Sequence, residues 1–202
     1  YIRKSKNVFT LDEIKKIKNE YRLEYKILTT LLYTGMRIHE VINLKIDDID
    51  FNKNIIKIKK SKTENGKRII PIHNVILNIL KENCKNNTKY AFEKINKQIN
   101  YMSFYNYFKK NFTNHTIHET RHTFITQCRK CKLDEYIVKL IAGHSTSDIT
   151  LNTYTHIDAD YISNEFKNLI IKYISFLLNS FHFLSFNKPS LALQRKISLL
   201  RE

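Results

Sequence analysis

Hydrophobic positions recur at helical spacing along most of the chain and predict a series of amphipathic helices. Thr10, with Glu13 three residues later, has the form of a capping box and predicts a helix to about Glu20. A second apolar pattern runs from Leu23 to Gly35, and a third begins in IHEVINL, so Arg37 falls at a break between helices. Further helices are predicted in VILNILKENC, INYMSFYNYFKKNF, TRHTFITQC, DEYIVKLIAG, SDITLNTY and the stretch from Ile162 to Tyr173.

The spacing changes between these helices to that of β-strands. NIIKIKK and KRIIPIH are short β-branched runs on either side of SKTENG, where Asn65-Gly66 favours a hairpin. Seven Lys or Arg and one Glu lie between Lys53 and Arg68, which indicates a basic β-ribbon with Lys62 near its turn. The pattern as a whole predicts an α+β fold that is mainly α-helical, with one small antiparallel ribbon.

The amino-acid composition indicates a polyanionic binding partner. The 202-residue chain has 35 Lys and Arg against 19 Asp and Glu, a net charge of +16 that favours polyanions such as nucleic acid. An anionic membrane face or a merely solvated lysine-rich surface are the alternatives. The stretch 169–186 has the length of a membrane span but contains Lys172, Asn179 and His182, so we expect no span.

The cysteines and the start of the chain indicate where the protein works. Three cysteines do not make a disulfide framework and fit a reducing compartment. Cys128 and Cys131 form a single C-x-x-C, which we expect to be helix residues rather than a metal site. No apolar signal segment opens the chain, and a cytoplasmic location is expected.

Polar residues at helix ends and turns supply the candidate chemistry. Arg37 and Arg121 have forked donors that suit the non-bridging oxygens of a phosphodiester, and His118 lies one helical turn before Arg121. His144 follows a predicted helix cap and could donate from another direction. Tyr154 is a candidate nucleophile, because an anion trap of arginines and histidines would stabilise its oxyanion. The set therefore points to attack on a phosphate.

Several motifs together carry a family resemblance. TGMRIHEVINL, SKT, HETRHTF, AGHS and LNTYTH, in this order and at these separations, resemble the catalytic domain of tyrosine recombinases of the phage-integrase type. The resemblance runs from about Phe9 to about Tyr173. It implies a catalytic domain over residues 1–174, in which 1–8 are the remnant of a linker, followed by a tail at 175–202.

The resemblance also implies a role for the ribbon and the first arginine. Arg37 matches the first arginine of the family, Glu40 a buried structural carboxylate, and Lys62 the ribbon lysine that protonates the departing 5′ oxygen. Lys60 and Lys67 are alternatives for that proton donor. The expected DNA-binding residues are those of the ribbon, namely Lys57, Lys59, Lys60, Lys67 and Arg68.

The remaining site residues follow from the resemblance in the same way. His118 and Arg121 match the H-x-x-R pair, His144 the histidine after glycine, and Tyr154 the nucleophile, whereas His122 is expected to pack and not to take part. The implied reaction is a metal-free transesterification through a 3′-phosphotyrosine, without a cofactor. Implied partners are double-stranded DNA, further copies of the chain in a tetramer, and an accessory excision factor.

Three functions remain open at this point. A site-specific recombinase of a mobile element is expected first, and a strand-passing enzyme of the type IB topoisomerase kind shares its chemistry. A DNA-binding regulator without turnover is the third. Family members usually carry an N-terminal DNA-clamping domain ahead of the segment that resembles FTLDEI, and we expect that this domain either was removed or was never present. The apolar tail is expected either to dock on a neighbouring copy or to be disordered.

Overall fold

The computed structural model describes residues 7–59, 67–94 and 97–143, and these form seven α-helices with two small sheets. The predicted SDITLNTY and C-terminal helices, the Asn65-Gly66 turn and the tail at 175–202 lie outside this range. The helices are α1 (Leu11–Lys18), α2 (Leu23–Thr34), α3 (Ile38–Ile42), α4 (Asn74–Asn86), α5 (Tyr101–Asn111), α6 (His118–Lys130) and α7 (Glu135–Ala142). The strands are β1 (Ile49–Asp50), β2 (Ile55–Ile58), β3 (Arg68–Pro71), β4 (Glu93–Lys94) and β5 (Lys97–Gln98).

Helix α2 is the centre of the core and packs against α1, α4 and α6. Its Ile27, Leu28 and Leu31 are fully buried, and Phe124 of α6 is buried beside them. Buried residues on several faces of α2 are typical of a helix that is covered on more than one side. Because α2 ends at the Gly35 break and α6 begins with His118, this packing brings two predicted site segments together.

The predicted ribbon is confirmed, although the fold has a second sheet that the pattern missed. Strands β2 and β3 pair antiparallel, with Ile56 opposite Ile70 and Ile58 opposite Arg68, and β1 adds a third strand beside β2. Strands β4 and β5 form a separate two-stranded sheet. Each of these two strands has only two residues, too few to show the alternation that reveals a strand in sequence.

Four aromatic residues of α5 recur at helical spacing and form a stripe, which belongs to the core at only two of its positions. Phe104 and Phe108 are buried, whereas Tyr101 and Tyr105 are half-buried. The Tyr101 ring stacks on His39 of α3, with ring centroids 4.6 Å apart. The stripe therefore holds α5 to the core and also to the helix that follows Arg37.

Helix ends follow the predicted signals closely. The Thr10 capping box is present, and Gly35 and Gly143 adopt the left-handed conformation at the ends of α2 and α7, with φ of 64° and 63°. Helix α6 begins at His118, two residues before the predicted TRHTFITQC segment. The Glu119 carboxylate accepts the Thr116 backbone N–H at 3.1 Å and so stabilises this earlier start.

A group of contacts that we name the N-terminal latch ties the beginning of the domain to α6. The His115 ring lies between two carboxylates, with Nδ1 2.8 Å from Glu119 and Nε2 3.2 Å from Glu13, and it stacks on Phe9 at 4.0 Å. The Phe9 backbone N–H donates to the Thr123 hydroxyl at 2.9 Å. The latch thus consists of Phe9, Glu13, His115, Glu119 and Thr123.

Two further expectations concern membranes and metals. No helix within the described residues has both the length and the apolarity needed to cross a bilayer, and the stretch 169–186 is outside them. Cys128 lies inside α6 as predicted, and Cys131 caps its end. Both side chains are buried in the core, and burial raises the pKa of the Cys128 thiol. No three His, Cys, Asp or Glu side chains of the described segments could hold a metal together.

Candidate active site

Arg121 forms the floor of the candidate site and is almost completely buried. Its residue exposure is 2%, and its Nη1 donates to the Gly35 carbonyl oxygen at 2.7 Å. Its Nη2 is also buried, and no described residue accepts a hydrogen bond from it. A buried cation that makes one bond to a neutral carbonyl is an unfavourable arrangement unless an anion joins it.

Gly35 is required at this place for two reasons. Its φ of 64° lies in the left-handed region, and a Cβ on it would collide with the Phe124 ring of α6. The glycine therefore lets the end of α2 lie directly on α6. This close approach is what puts the Gly35 carbonyl within reach of Arg121.

Arg37 lies at the rim of the site, at the residue that precedes α3. Its side chain is 45% exposed, and its backbone N–H donates to Glu40 Oε2 at 2.7 Å. Its guanidinium makes two longer contacts, from Nη1 to Glu40 Oε1 at 3.2 Å and from Nη2 to the Gly143 carbonyl at 3.4 Å. Helix α7 consequently ends at the arginine cluster.

Arg68 does not lie on the DNA-facing surface where the sequence analysis placed it. Its side chain is only 5% exposed and grips Glu40 with two hydrogen bonds, from Nη1 to Oε1 at 2.9 Å and from Nη2 to Oε2 at 2.8 Å. Its Nε donates to the Ile141 carbonyl at 2.7 Å. Its expected DNA contact does not fit this burial. A signal was present, because Arg68 is the one arginine among the ribbon's lysines, and a guanidinium fork suits a buried carboxylate.

The charges of this cluster are unbalanced. Burial, together with the nearby charges of Arg37 and Arg68, lowers the pKa of Arg121 to about 10 against the opposing effect of Glu40. Burial alone would raise the pKa of Glu40, but the hydrogen bonds and charge of Arg68, with a smaller contribution from Arg37, hold it below its ordinary value. Among the described residues of the cluster, three guanidinium cations face one carboxylate, an excess of two positive charges.

The histidines of α6 share one end of the helix. His118 is its first residue and is exposed, one turn before Arg121, as predicted. The His122 ring is half-buried and meets His118 edge to face, with centroids 4.7 Å apart. Lys60, Lys62, His144 and Tyr154 lie outside the described residues, so their roles remain predictions.

The described ribbon lysines are at the surface but have acidic neighbours. Lys57 Nζ is 3.4 Å from Asp50, and Lys59 Nζ is 2.6 Å from Asp48, with side-chain exposures of 45% and 58%. Lys67 is also exposed. These pairs offset part of the ribbon's positive charge, although exposed ion pairs of this kind are weak and open readily.

The chain is similar over most of its length to several known proteins. The model of the Phage integrase family matches residues 7–160. Tyrosine recombinase XerA of Pyrococcus horikoshii is 31% identical over 167 residues, which are 76% of this chain and 58% of the relative. The transposase from transposon Tn916 of Enterococcus faecalis is 25% identical over 191 residues, covering 76% of this chain and 47% of that protein.

Solved structures show the same fold. The Tn1549 transposon integrase in complex with transposon right end DNA superposes with a TM-score of 0.58 at 23% identity, over 82% of this chain and 66% of that one. The crystal structure of XerA recombinase gives a TM-score of 0.60 at 22% identity, over 81% and 64%. At this identity the likeness concerns the fold.

The fold is that of a tyrosine recombinase catalytic domain. The chain belongs to the phage integrase family. It spans 58% and 63% of the lengths of two XerA relatives that it matches.

Proposed function

We propose that this chain is the catalytic part of a site-specific recombinase that cuts and rejoins double-stranded DNA through a 3′-phosphotyrosine. The observation that carries the proposal is the buried Arg121, with one Nη group unpartnered among the described residues, inside a cluster with two excess positive charges. A phosphodiester would supply both the missing charge and the missing acceptors. The matches to a transposon transposase and to a transposon integrase bound to DNA support a mobile element as the source.

The chemistry proposed for this site is a transesterification. Arg37 and Arg121 bind the non-bridging oxygens of the scissile phosphate, and His118 and His144 add donors. The Tyr154 hydroxyl gives its proton to water and its oxygen attacks phosphorus, the bond from phosphorus to the 5′ oxygen breaks, and Lys62 gives the departing oxygen a proton. A 5′-hydroxyl from another strand reverses the step. The scheme uses no metal ion and no cofactor.

The partners follow from the same proposal. Exchange of strands between two DNA sites needs more than one nucleophile, so we propose a homo-oligomer on DNA, a tetramer, with an accessory factor for excision. The reaction would take place in the cytoplasm, where the element's DNA lies.

The decisive experiment uses supercoiled plasmids that carry the two DNA junctions flanking the gene for this chain. The full-length protein is expected to yield joined junctions, together with protein that stays attached to DNA on a denaturing gel. Tyr154→Phe should bind the same DNA and lose the attachment, because only the attacking oxygen is removed. Relaxation of plasmids without junctions and without joining would favour the topoisomerase, and binding without any covalent product would favour the regulator.

The ribbon is tested separately by salt. Each phosphate contact contributes about 0.9 to the slope of log affinity against log salt, so replacing both Lys57 and Lys59 by Ala should flatten the slope by up to about 1.8. Lys130→Ala, at the exposed far end of α6, is the matched control. An unchanged slope in the ribbon variant would mean that these lysines stay with Asp50 and Asp48.

A further inference from the structure

We infer that Arg68 is a positioning residue, which occupies Glu40 and thereby leaves Arg37 available for the scissile phosphate. The inference rests on the proposed function of Arg37 as a phosphate ligand. It assigns to Arg68 a task that differs from the DNA contact expected of a ribbon residue.

The distances around Glu40 carry the inference. Both carboxylate oxygens receive short hydrogen bonds from Arg68, at 2.9 and 2.8 Å, whereas Arg37 reaches one of them with a single guanidinium contact at 3.2 Å. The carboxylate is 13% exposed and Arg37 is 45% exposed. Glu40 is therefore held mainly by Arg68, and the Arg37 guanidinium keeps most of its donors for another anion.

Without Arg68, Glu40 would be held mainly by Arg37. Glu40 would remain enclosed with Arg37 as the nearest described cation that contacts it. A buried carboxylate without its partner is costly, and the nearby fork of Arg37 would relieve that cost by pairing with both oxygens. Arg37 would then compete between Glu40 and the phosphate, and the phosphate would lose a ligand.

Arg68 also fixes the end of α7 against the same cluster. Its Nε holds the Ile141 carbonyl at 2.7 Å, and a Cβ on Gly143 would come within 3.0 to 3.1 Å of its side chain. Strand β3 is thereby joined through one guanidinium to α3 and to α7. The ribbon can transmit a shift of β3 to Arg37 through this contact.

A second Arg and Glu pair in the molecule provides a matched control. Arg129 and Glu135 also make a two-bond pair, at 3.0 and 2.6 Å, but their side chains are 58% and 48% exposed, and Arg129 lies at the opposite end of α6 from His118. Loss of this pair removes the same chemical groups without touching Arg37.

The test compares covalent complex formation on the junction plasmids for wild type, Arg68→Ala, and Arg68→Ala with Glu40→Gln. We expect Arg68→Ala to cut about 100-fold more slowly, near the loss that follows removal of one transition-state donor, with DNA affinity changed by less than about threefold. Adding Glu40→Gln should restore the rate at least about tenfold, since the carboxylate that captures Arg37 is gone. Its amide oxygen can still accept the Arg37 backbone N–H.

The control and the contrary results are defined by the same assay. Arg129→Ala should stay within about twofold of wild type, as a surface pair would. All rates are taken where circular dichroism shows each variant folded. If the double variant is no faster than Arg68→Ala, or if Arg68→Ala cuts as fast as wild type, Arg68 does not act through Glu40 on Arg37.

A measurement without DNA separates this inference from the proposed function. Nitrogen NMR of the arginine side chains should show slowed guanidinium rotation at Arg37 in Arg68→Ala, because a two-bond pair restrains it. Wild type and the double variant should not show this restraint. Identical Arg37 signals in all three proteins would overturn the inference even if the wild type cuts DNA. A wild type that cuts no DNA, with the Arg37 signals as expected, would instead overturn the proposed function.

Discussion

The two arginines proposed to hold one phosphate are themselves held in opposite ways. Arg121 is enclosed in α6 and makes one bond to a neutral carbonyl, at 2.7 Å, whereas Arg37 is half exposed and lies against a carboxylate. Among the described residues, the guanidinium at the floor of the site therefore has no carboxylate bonded to it, whereas the guanidinium at the rim contacts Glu40 directly. Binding of an anion would therefore stabilise Arg121 the most. The contacts of Arg37, in contrast, depend on its neighbours Glu40 and Arg68.

The largest effect on stability is expected when each buried guanidinium is removed from the DNA-free protein. Arg68→Met should lower the free energy of unfolding by about 3–5 kcal/mol, because it removes both short hydrogen bonds to a buried carboxylate, a loss that re-pairing with Arg37 offsets only in part. Arg121→Met should change it by less than about 1 kcal/mol, since relief of a buried charge offsets a lost hydrogen bond of about that size. Urea titration measures both, and equal losses would mean that Arg121 has a counter-charge.

Cleavage should depend more strongly on Arg121 than on Arg37. Arg121→Lys keeps a cation but loses the fork, and we expect cleavage to fall by about 10² to 10³, the usual effect of removing one enclosed transition-state donor. Arg37→Lys should cost less, because its site is open to water. Single-turnover formation of the covalent complex measures both rates, and a larger loss at Arg37 would contradict the assignment of floor and rim.

The glycines beside the two arginines offer a milder test. Gly35→Ala should destabilise the protein by about 2–3 kcal/mol, since the left-handed conformation and the collision with Phe124 both act. Gly143→Ala has nearly the same φ, and the nearest described atoms to its Cβ belong to the side chain of Arg68, so about 1–2 kcal/mol is expected. The two thermal midpoints should differ accordingly, and a costlier Gly143→Ala would show that the rim is the more rigid side.

Low pH should reduce the stability that Glu40 contributes at the rim of the site and should not change the contribution of Arg121 at its floor. The folded pKa of Glu40 lies below its unfolded value, so its stabilising contribution is complete above the unfolded pKa and is lost as pH falls through the folded one. Urea midpoints measured from about pH 7 to pH 3 should therefore fall less steeply in Glu40→Gln than in wild type. Arg121→Met should keep the wild-type slope. A wild-type slope in Glu40→Gln would mean that Glu40 does not titrate with folding.

Local patterns were enough to predict the elements that carry the site. The apolar repeat of α2, the Gly35 break and the run after His118 are signals within a few residues, and each element is present. The predicted pairing of His118 with Arg121 needed only the helical repeat. The second sheet was missed because β4 and β5 have two residues each.

The surroundings of Arg68 could not be read in the same way. In sequence Arg68 is one cation in a basic ribbon, and its burial depends on Glu40 and on Ile141, which are 28 and 73 residues away. His115 is likewise held by Glu13 across 102 residues. Such pairings arise when helices pack, and no periodicity within one segment encodes them.

The N-terminal latch has a mechanical consequence. Because Phe9 and Glu13 are joined directly to Thr123 and His115, a pull on the chain ahead of Phe9 is delivered to α6 before it reaches the ribbon. The segment at Phe9 and the helix that carries Arg121 are thus mechanically connected in series. Tension applied at that end would be felt at the phosphate site as strain in α6.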